Sequence, residues 1–352
     1  MAQPLSRYAG GRDNNFNLIR FIAAALVLVS HSFPLTGDPN EPLERFAGFS
    51  LGHLGVDVFF AISGYLVTGS LLSKRDLRGF LRARSRRIFP ALAANALLVA
   101  TVVGALHTTL RPAEYFTRLG TWRYALLNAT TWPWGVEYAL PGVFENVPVR
   151  GVVNGSLWSL PWELSLYAML AVFGALALRA RPWVDRARLP AVFLAIAIAA
   201  TLAHAANQAL ELTTSFAVSQ GVRLLALFAS GAAYFEYRDR VPLSARWFVA
   251  SLLLFFASLA LGGWAQAFYV LSLPYAILWL AYRPAGPVRA WNRLGDYSYG
   301  LYLWAFPIQQ CVAARVPGVS QSAMVGIALP AALAFAVASW HWLESPFLGR
   351  KG

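Results

Sequence analysis

Arg20 and His31 stand inside the first apolar run of the chain, from Phe16 through Phe33, where a lipid-buried helix avoids ionisable side chains. They are eleven residues apart. At about 100° per residue that is three helical turns plus about 20°, so both project from one face, about 16 Å apart along the axis. A permanent cation at one depth suits anchoring of an anion, and an imidazole at another suits proton transfer near neutral pH. The bland alternatives are a guanidinium snorkelling to headgroups and a hydrogen-bonded packing histidine; the shared face argues against both.

Further polar residues interrupt other apolar runs. Asp57, in Gly52-His53-Leu54-Gly55-Val56-Asp57, needs a cationic or hydrogen-bonding partner. Ser63 with Gly55 and Gly64 reads as close helix packing. Arg84 and Arg87, within Arg78 to Pro90, are neighbours if this stretch is helical and suit bidentate phosphate binding; the plainer reading is an anchor to anionic lipid. Glu163 follows Asn154-Gly155-Ser156-Leu157-Trp158, about 10 Å below the start of its helix, at a depth similar to that of His31. A carboxylate and an imidazole at matched depth fit general acid–base catalysis, whereas an ion pair of Glu163 with Arg223 is the structural alternative. Trp158 and Trp162 read as interfacial anchors. Tyr302 belongs to the polar, aromatic start of another run, and Glu344 neutralises an arginine near the inner interface. Histidines 53, 107, 204 and 341 lack metal-ligand spacing, so no metal is expected.

The elements that position these residues are membrane helices. Apolar residues make up 58% of the chain, charged residues 13%, and the mean hydropathy is +0.51, far from the roughly 25% charged of soluble proteins. About 20 apolar residues span a bilayer, and ten segments qualify: 16–35, 53–73, 87–107, 156–178, 189–207, 217–236, 244–262, 264–282, 297–315 and 322–342. The expectation is an all-α polytopic bundle of about ten transmembrane helices. The net charge of +13 is an orientation signal rather than a nucleic-acid footprint, because the arginines alternate between connections. Lys74, Arg75, Arg78, Arg82, Arg84, Arg86 and Arg87 follow the second run; Arg179, Arg181, Arg186 and Arg188 the fourth; Arg238, Arg240 and Arg246 the sixth; Arg283, Arg289 and Arg293 the eighth. The positive-inside rule then puts both termini in the cytoplasm. Arg7 and Arg12 before the first run resemble a signal peptide, but the run is long and has no cleavage site before Pro34, so it reads as a retained helix. The organisation expected is one membrane domain over 1–352, with a cytoplasmic segment 1–15, an extracytoplasmic loop 108–155 that carries a surface helix, and no separate soluble domain. Cys311 is the only cysteine, which excludes an internal disulfide.

Taken together the residues resemble the acyltransferase 3 family of integral membrane acyltransferases. The resemblance rests on Arg20-x10-His31, the Gly-Val-x-x-Phe-Phe-x-x-Ser-Gly run from Gly55 to Gly64, and Arg84-x-x-Arg87. It continues in Trp158-Ser-Leu-x-x-Glu163 with Tyr167, Ser298-Tyr-x-x-Tyr302-Leu-Trp, and Glu344-x-Pro-Phe347. Ala305 departs from it, since many members carry histidine there. The phrases Asn-Gly-Ser-Leu-Trp and Phe-Pro-Ile-Gln-Gln look like members that decorate exopolysaccharide or lipid-linked sugars.

The resemblance implies transfer of an acyl group, usually acetyl from acetyl-coenzyme A, to a carbohydrate hydroxyl at a bacterial inner membrane. No cofactor is permanently bound; acyl-CoA, a carbohydrate acceptor and membrane lipids are the partners, and nucleic acid is not. On this reading Arg20, Arg84 and Arg87 bind the donor phosphates, and His31 either deprotonates the acceptor or carries the acyl group. Glu163 orients His31, with Asp57, Ser63, Arg223, Tyr302 and Glu344 in support. The competing class is a glycan transporter without acyl transfer, against which stands the absence of matched Gly/Pro-interrupted helices in two halves. A phosphatase reporter fused at the C-terminus is expected to be inactive and one inserted in 108–155 active; the reverse pattern would invert the topology.

Overall fold

Ten long helices occupy the ten predicted segments: α1 Phe16–Leu35, α2 Leu51–Lys74, α3 Leu77–Leu98, α4 Leu160–Arg179, α5 Leu189–Leu210, α6 Phe216–Glu236, α7 Ala245–Leu261, α8 Gln266–Tyr282, α9 Ser298–Arg315 and α10 Gln321–Ser339. The structure is a computed structural model and describes residues 3–9, 11, 13–74, 76–131, 135–179 and 189–349; Arg12, Arg75, Arg181, Arg186 and Arg188 of the orientation argument lie outside the described residues. Eight of the ten segments are long and apolar enough to cross a membrane, and α7 is shorter at 17 residues. The remaining helix, α9, carries Ser298, Gln309 and Gln310, all buried, because it runs through the protein interior rather than along lipid. The chain is an all-α, multi-pass membrane protein.

The arginine stretch is helical. Asp76 accepts from the backbone N–H of Gly79 at 2.9 Å and caps α3 eleven residues before the predicted span begins. The helix then continues through a π turn, Val99–Val103, to His107.

Helix α2 is wedged between α1 and α6. A Cβ on Gly55 would lie 2.5 Å from the Ala23 carbonyl oxygen and 2.8 Å from Val27 Cγ2, one on Gly64 would strike the Phe228 carbonyl, and one on Gly231 of α6 would strike that of Ala61. These approaches are the close packing that small residues allow in membranes. Trp162, read as an interfacial anchor, instead packs its ring against Gly221 of α6.

Among its described residues the segment 108–155 is mostly irregular. It forms short helices at Pro112–Thr117 and Leu119–Thr130, but its last part returns along α9. Gln310 donates to the carbonyls of Val149 at 2.8 Å and Val152 at 2.6 Å. Pro307 has no N–H to give the Leu303 carbonyl one turn back, and Asn154 at 3.0 Å and Asn95 of α3 at 3.2 Å donate to it instead. Irregular backbone at membrane depth survives only where protein satisfies it. From Gln310 to Leu303 the descent is about 10 Å, so α4 begins deep in the bundle and Glu163 lies deeper than predicted.

Replacing Gly64 by Val is expected to destabilise the bundle by about 1–3 kcal/mol or more, because the clash is with backbone; Gly326→Ala, where a Cβ meets nothing within 4 Å, is expected to be neutral. Thermal unfolding in detergent checks the contrast.

Candidate active site

Asp296, at the foot of α9, is shared by two arginines that are distant in sequence. Its Oδ2 accepts from Arg20 Nη1 at 3.2 Å and Arg87 Nη2 at 2.7 Å, while its Oδ1 accepts from the Ser298 hydroxyl at 2.5 Å. Arg87 Nη1 reaches Glu344 at 2.5 Å, and Ser339 donates to the other oxygen of Glu344 at 2.8 Å. The Arg87 guanidinium also lies over the rings of Tyr299 and Trp340, at 5.5 and 5.7 Å. Burial works to raise the Asp296 carboxyl, but Arg87, then Arg20, with the Ser298 hydrogen bonds, outweigh it and hold it below the usual range. The contribution of this clamp to stability is therefore full above the ordinary Asp value of 3.8 and is lost as pH falls below it through the lowered value.

Above the clamp α1, α2, α3, α4 and α9 enclose a cavity of about 330 Å³. Arg20, Arg84 and Arg87 line it, as do Ser63, Glu163, Tyr167 and Tyr302. Arg20 is thus held by Asp296 and lines a cavity rather than snorkelling to lipid. Arg84 makes no ion pair among the described residues, and its buried Nε has no hydrogen-bond partner. Tyr167 donates to Glu163 in a short hydrogen bond and lies 3.3 Å from the Ser63 hydroxyl. Tyr302 donates to the Ser156 carbonyl at 2.5 Å and lies 2.7 Å from the Ser159 hydroxyl, which fixes the start of α4 to α9. The cavity offers guanidinium donors together with the hydroxyls of Ser63, Ser159, Tyr167 and Tyr302; His31 is not among its lining residues.

His31 lies further along α1, edge-on to Phe306 with ring centroids 5.1 Å apart. Phe306 is one turn, about 6 Å, beyond Tyr302 on α9. The buried Nδ1 of His31 has no hydrogen-bond partner. Arg20 and His31 therefore both face the α9 side, as their spacing predicts.

Two pairings read from the sequence are corrected. Glu163 does not meet His31: it lines the cavity bonded to Tyr167, because the returning segment lowers the start of α4 and the expected match of depth is lost. Arg223 pairs not with Glu163 but with Asp57, at 2.6 Å, and both face the side of α2 away from this cavity. Asp57 and Arg223 do not join Arg20, Arg84, Arg87, Ser63, Glu163 and Tyr302, whereas Glu344 joins them through Arg87. Sequence reasoning gave Asp296 no role and passed over Asn95. An acidic residue opening a helix at the arginine-rich end was the available signal for Asp296; nothing local marks Asn95.

Residues 13–341 match the model of a family described as an acyltransferase domain. The chain belongs to the acyltransferase 3 family. It is an acyltransferase. Similar proteins include an O-acetyl transferase of Shigella phage Sf6, 26% identical over 97% of both chains, and nodulation protein 10 of Rhizobium leguminosarum bv. viciae, 28% identical over 97% of this chain and 95% of that one. The exopolysaccharide production protein ExoZ of Rhizobium meliloti (strain 1021) is 30% identical over 86% of this chain and 91% of its own length. No solved structure matches the chain.

The two arginines of the Arg84-x-x-Arg87 motif are expected to respond differently to substitution. Arg87→Met leaves Glu344, 1% exposed, without its counter-charge and should cost about 3–5 kcal/mol of stability. Arg84→Met, which breaks no ion pair, should stay within about 0.5 kcal/mol of the parent. Denaturation of the purified proteins in detergent checks this.

Proposed function

We propose that this acyltransferase moves an acetyl group from cytoplasmic acetyl-CoA to a hydroxyl of a cell-surface or lipid-linked carbohydrate in the bacterial inner membrane. The observation that carries the reading is Arg84, a cation that lines the cavity and makes no ion pair among the described residues while Arg20 and Arg87 beside it hold carboxylates. Such a guanidinium suits a phosphate-rich donor. The names of the similar proteins support the rest: an O-acetyl transferase for the acetyl group, and exopolysaccharide production for the carbohydrate.

On this reading the donor phosphates rest on Arg84 and on the remaining N–H edges of Arg87 and Arg20, and the pantetheine arm runs past Tyr302. His31 is the base. The acceptor oxygen attacks the thioester carbonyl as the imidazole takes its proton. The C–S bond breaks, and the leaving thiolate recovers that proton, giving an ester and free coenzyme A. Glu163, in the cavity wall with Tyr167, takes a donor-facing role and accepts from an amide N–H of the arm. Ser63 and Tyr302 shape the channel.

His31→Ala is expected to lower acetyl transfer at least about 100-fold with donor affinity unchanged, whereas Arg84→Ala and Glu163→Gln should weaken coenzyme A binding. A deletion strain should lose one O-acetyl ester from its surface polysaccharide, restored by the parent gene and not by the His31→Ala form. An unchanged ester pattern, or glycan movement in vesicles without donor turnover, would overturn the reading.

A further inference from the structure

A second cavity, of about 110 Å³, lies at the opposite end of the bundle from Arg84, between the start of α2, the end of α5 and the starts of α6 and α8. Its centre is the Asp57–Arg223 pair. Asp57 Oδ2 accepts from Arg223 Nη1 and from the Tyr269 hydroxyl, each at 2.6 Å, and Gln220 accepts from the other arm of Arg223. The second oxygen, Asp57 Oδ1, is buried without a partner, and so is Nδ1 of His204 across the cavity; these residues are 0% and 2% exposed. A structural ion pair closes its lone pairs against protein. This one leaves a carboxylate oxygen and an imidazole nitrogen unpartnered on two residues that line the same cavity.

The lining specifies the ligand. Asp57 and Arg223 cancel, and among the described residues no other carboxylate, lysine or arginine lines the cavity, so the complement carries no net charge. The polar groups are of mixed kind, with amides from Gln208 and Gln266, imidazoles from His53 and His204, and the free carboxylate oxygen. Such a set satisfies groups that donate and accept at once, which is what adjacent hydroxyls do. Phe49, edge-on to Tyr269 with centroids 5.3 Å apart, supplies an apolar ring at the wall. Exposed Gln208 and Gly48 mark the mouth. The volume is the share of three to four waters at about 30 Å³ each, room for the hydroxyl edge of one sugar ring.

We propose that this cavity is a saccharide subsite that grips one uncharged sugar unit of the acceptor, on the side of α2 away from the donor cavity. The assignment of a role in acceptor binding rests on the carbohydrate-acceptor reading above; the sugar-binding property itself is tested separately. One wall of α2, through Val56 and Phe59, faces the donor cavity, and the other, through His53 and Asp57, faces this one. A polymer held here presents a neighbouring unit for acylation.

Saturation-transfer NMR on the full-length protein in lipid nanodiscs tests it, with methyl glucoside, galactoside, mannoside and rhamnoside as probes and methyl glucuronoside as the charged comparator. Saturable binding of at least one neutral glycoside is expected, in preference to the glucuronoside and unaffected by saturating coenzyme A. It should be at least tenfold weaker in H204L/Q208L. The His204 nitrogen makes no internal hydrogen bond and Gln208 is exposed, so this variant should unfold at the parent temperature; if the pair misfolds, Gln208→Leu alone, at the mouth, serves with the same expected direction. No saturable binding, unchanged binding in the variant, or competition by coenzyme A would overturn the proposal and leave a hydrated cavity only. A deletion strain that kept its O-acetyl ester would instead overturn the proposed reaction and leave glycoside binding standing.

Discussion

The carboxylate of Asp296 ties together parts of the chain that are far apart in sequence. It binds Arg20 of α1 and Arg87 of α3, and through Arg87 it reaches Glu344 beyond α10. Each of these charges alone would be expensive in a bundle interior, and their mutual compensation makes the arrangement tolerable. The consequence for chemistry is asymmetric. Arg20 and Arg87 are fixed in direction by their carboxylates, while Arg84, one turn from Arg87, is left to face the cavity. A site that binds an anion needs both properties: rigid walls and a cation whose charge is not already spent.

Helix α9 carries the second constraint. Pro307 removes one hydrogen bond from the helix, and the exposed Leu303 carbonyl becomes the place where Asn95 and Asn154 bring α3 and the returning segment together. Gln310 holds that segment higher up, and Tyr302 locks its last turn through Ser156 and Ser159. The depth of Glu163 follows from these contacts, since α4 cannot begin until the segment has been led down along α9. A helix too polar for lipid is thus the one on which the cavity is built.

Helix α2 divides two polar spaces of opposite character. On one side arginines outnumber the lining carboxylate; on the other, one acid and one base cancel. The glycines that let α2 sit against the backbones of α1 and α6 make this partition thin. The proposed transfer from a phosphate-bearing donor to an uncharged acceptor would use both environments within one membrane domain.

The ten helices were legible in the sequence because a run of about 20 apolar residues has few other fates. The common face of Arg20 and His31 was legible because helical period is a local property, and the Arg84–Arg87 pairing needed only that the stretch be helical. Partners were another matter. Asp57 called for a cation, but that Arg223 supplies it, and that Glu163 is left to Tyr167, depends on which helices touch. The meeting of Glu163 with His31 failed because depth was counted from the apparent start of a span, and the returning segment has no apolar period to announce where it goes. The sequence by itself determined the helices, their polar faces and the kinds of groups available for chemistry, since each follows from spacing along one element. Only the tertiary structure decided which charges neutralise one another, which arginine is left over and where α4 begins, because those outcomes depend on contacts between residues as far apart as Arg20 and Asp296.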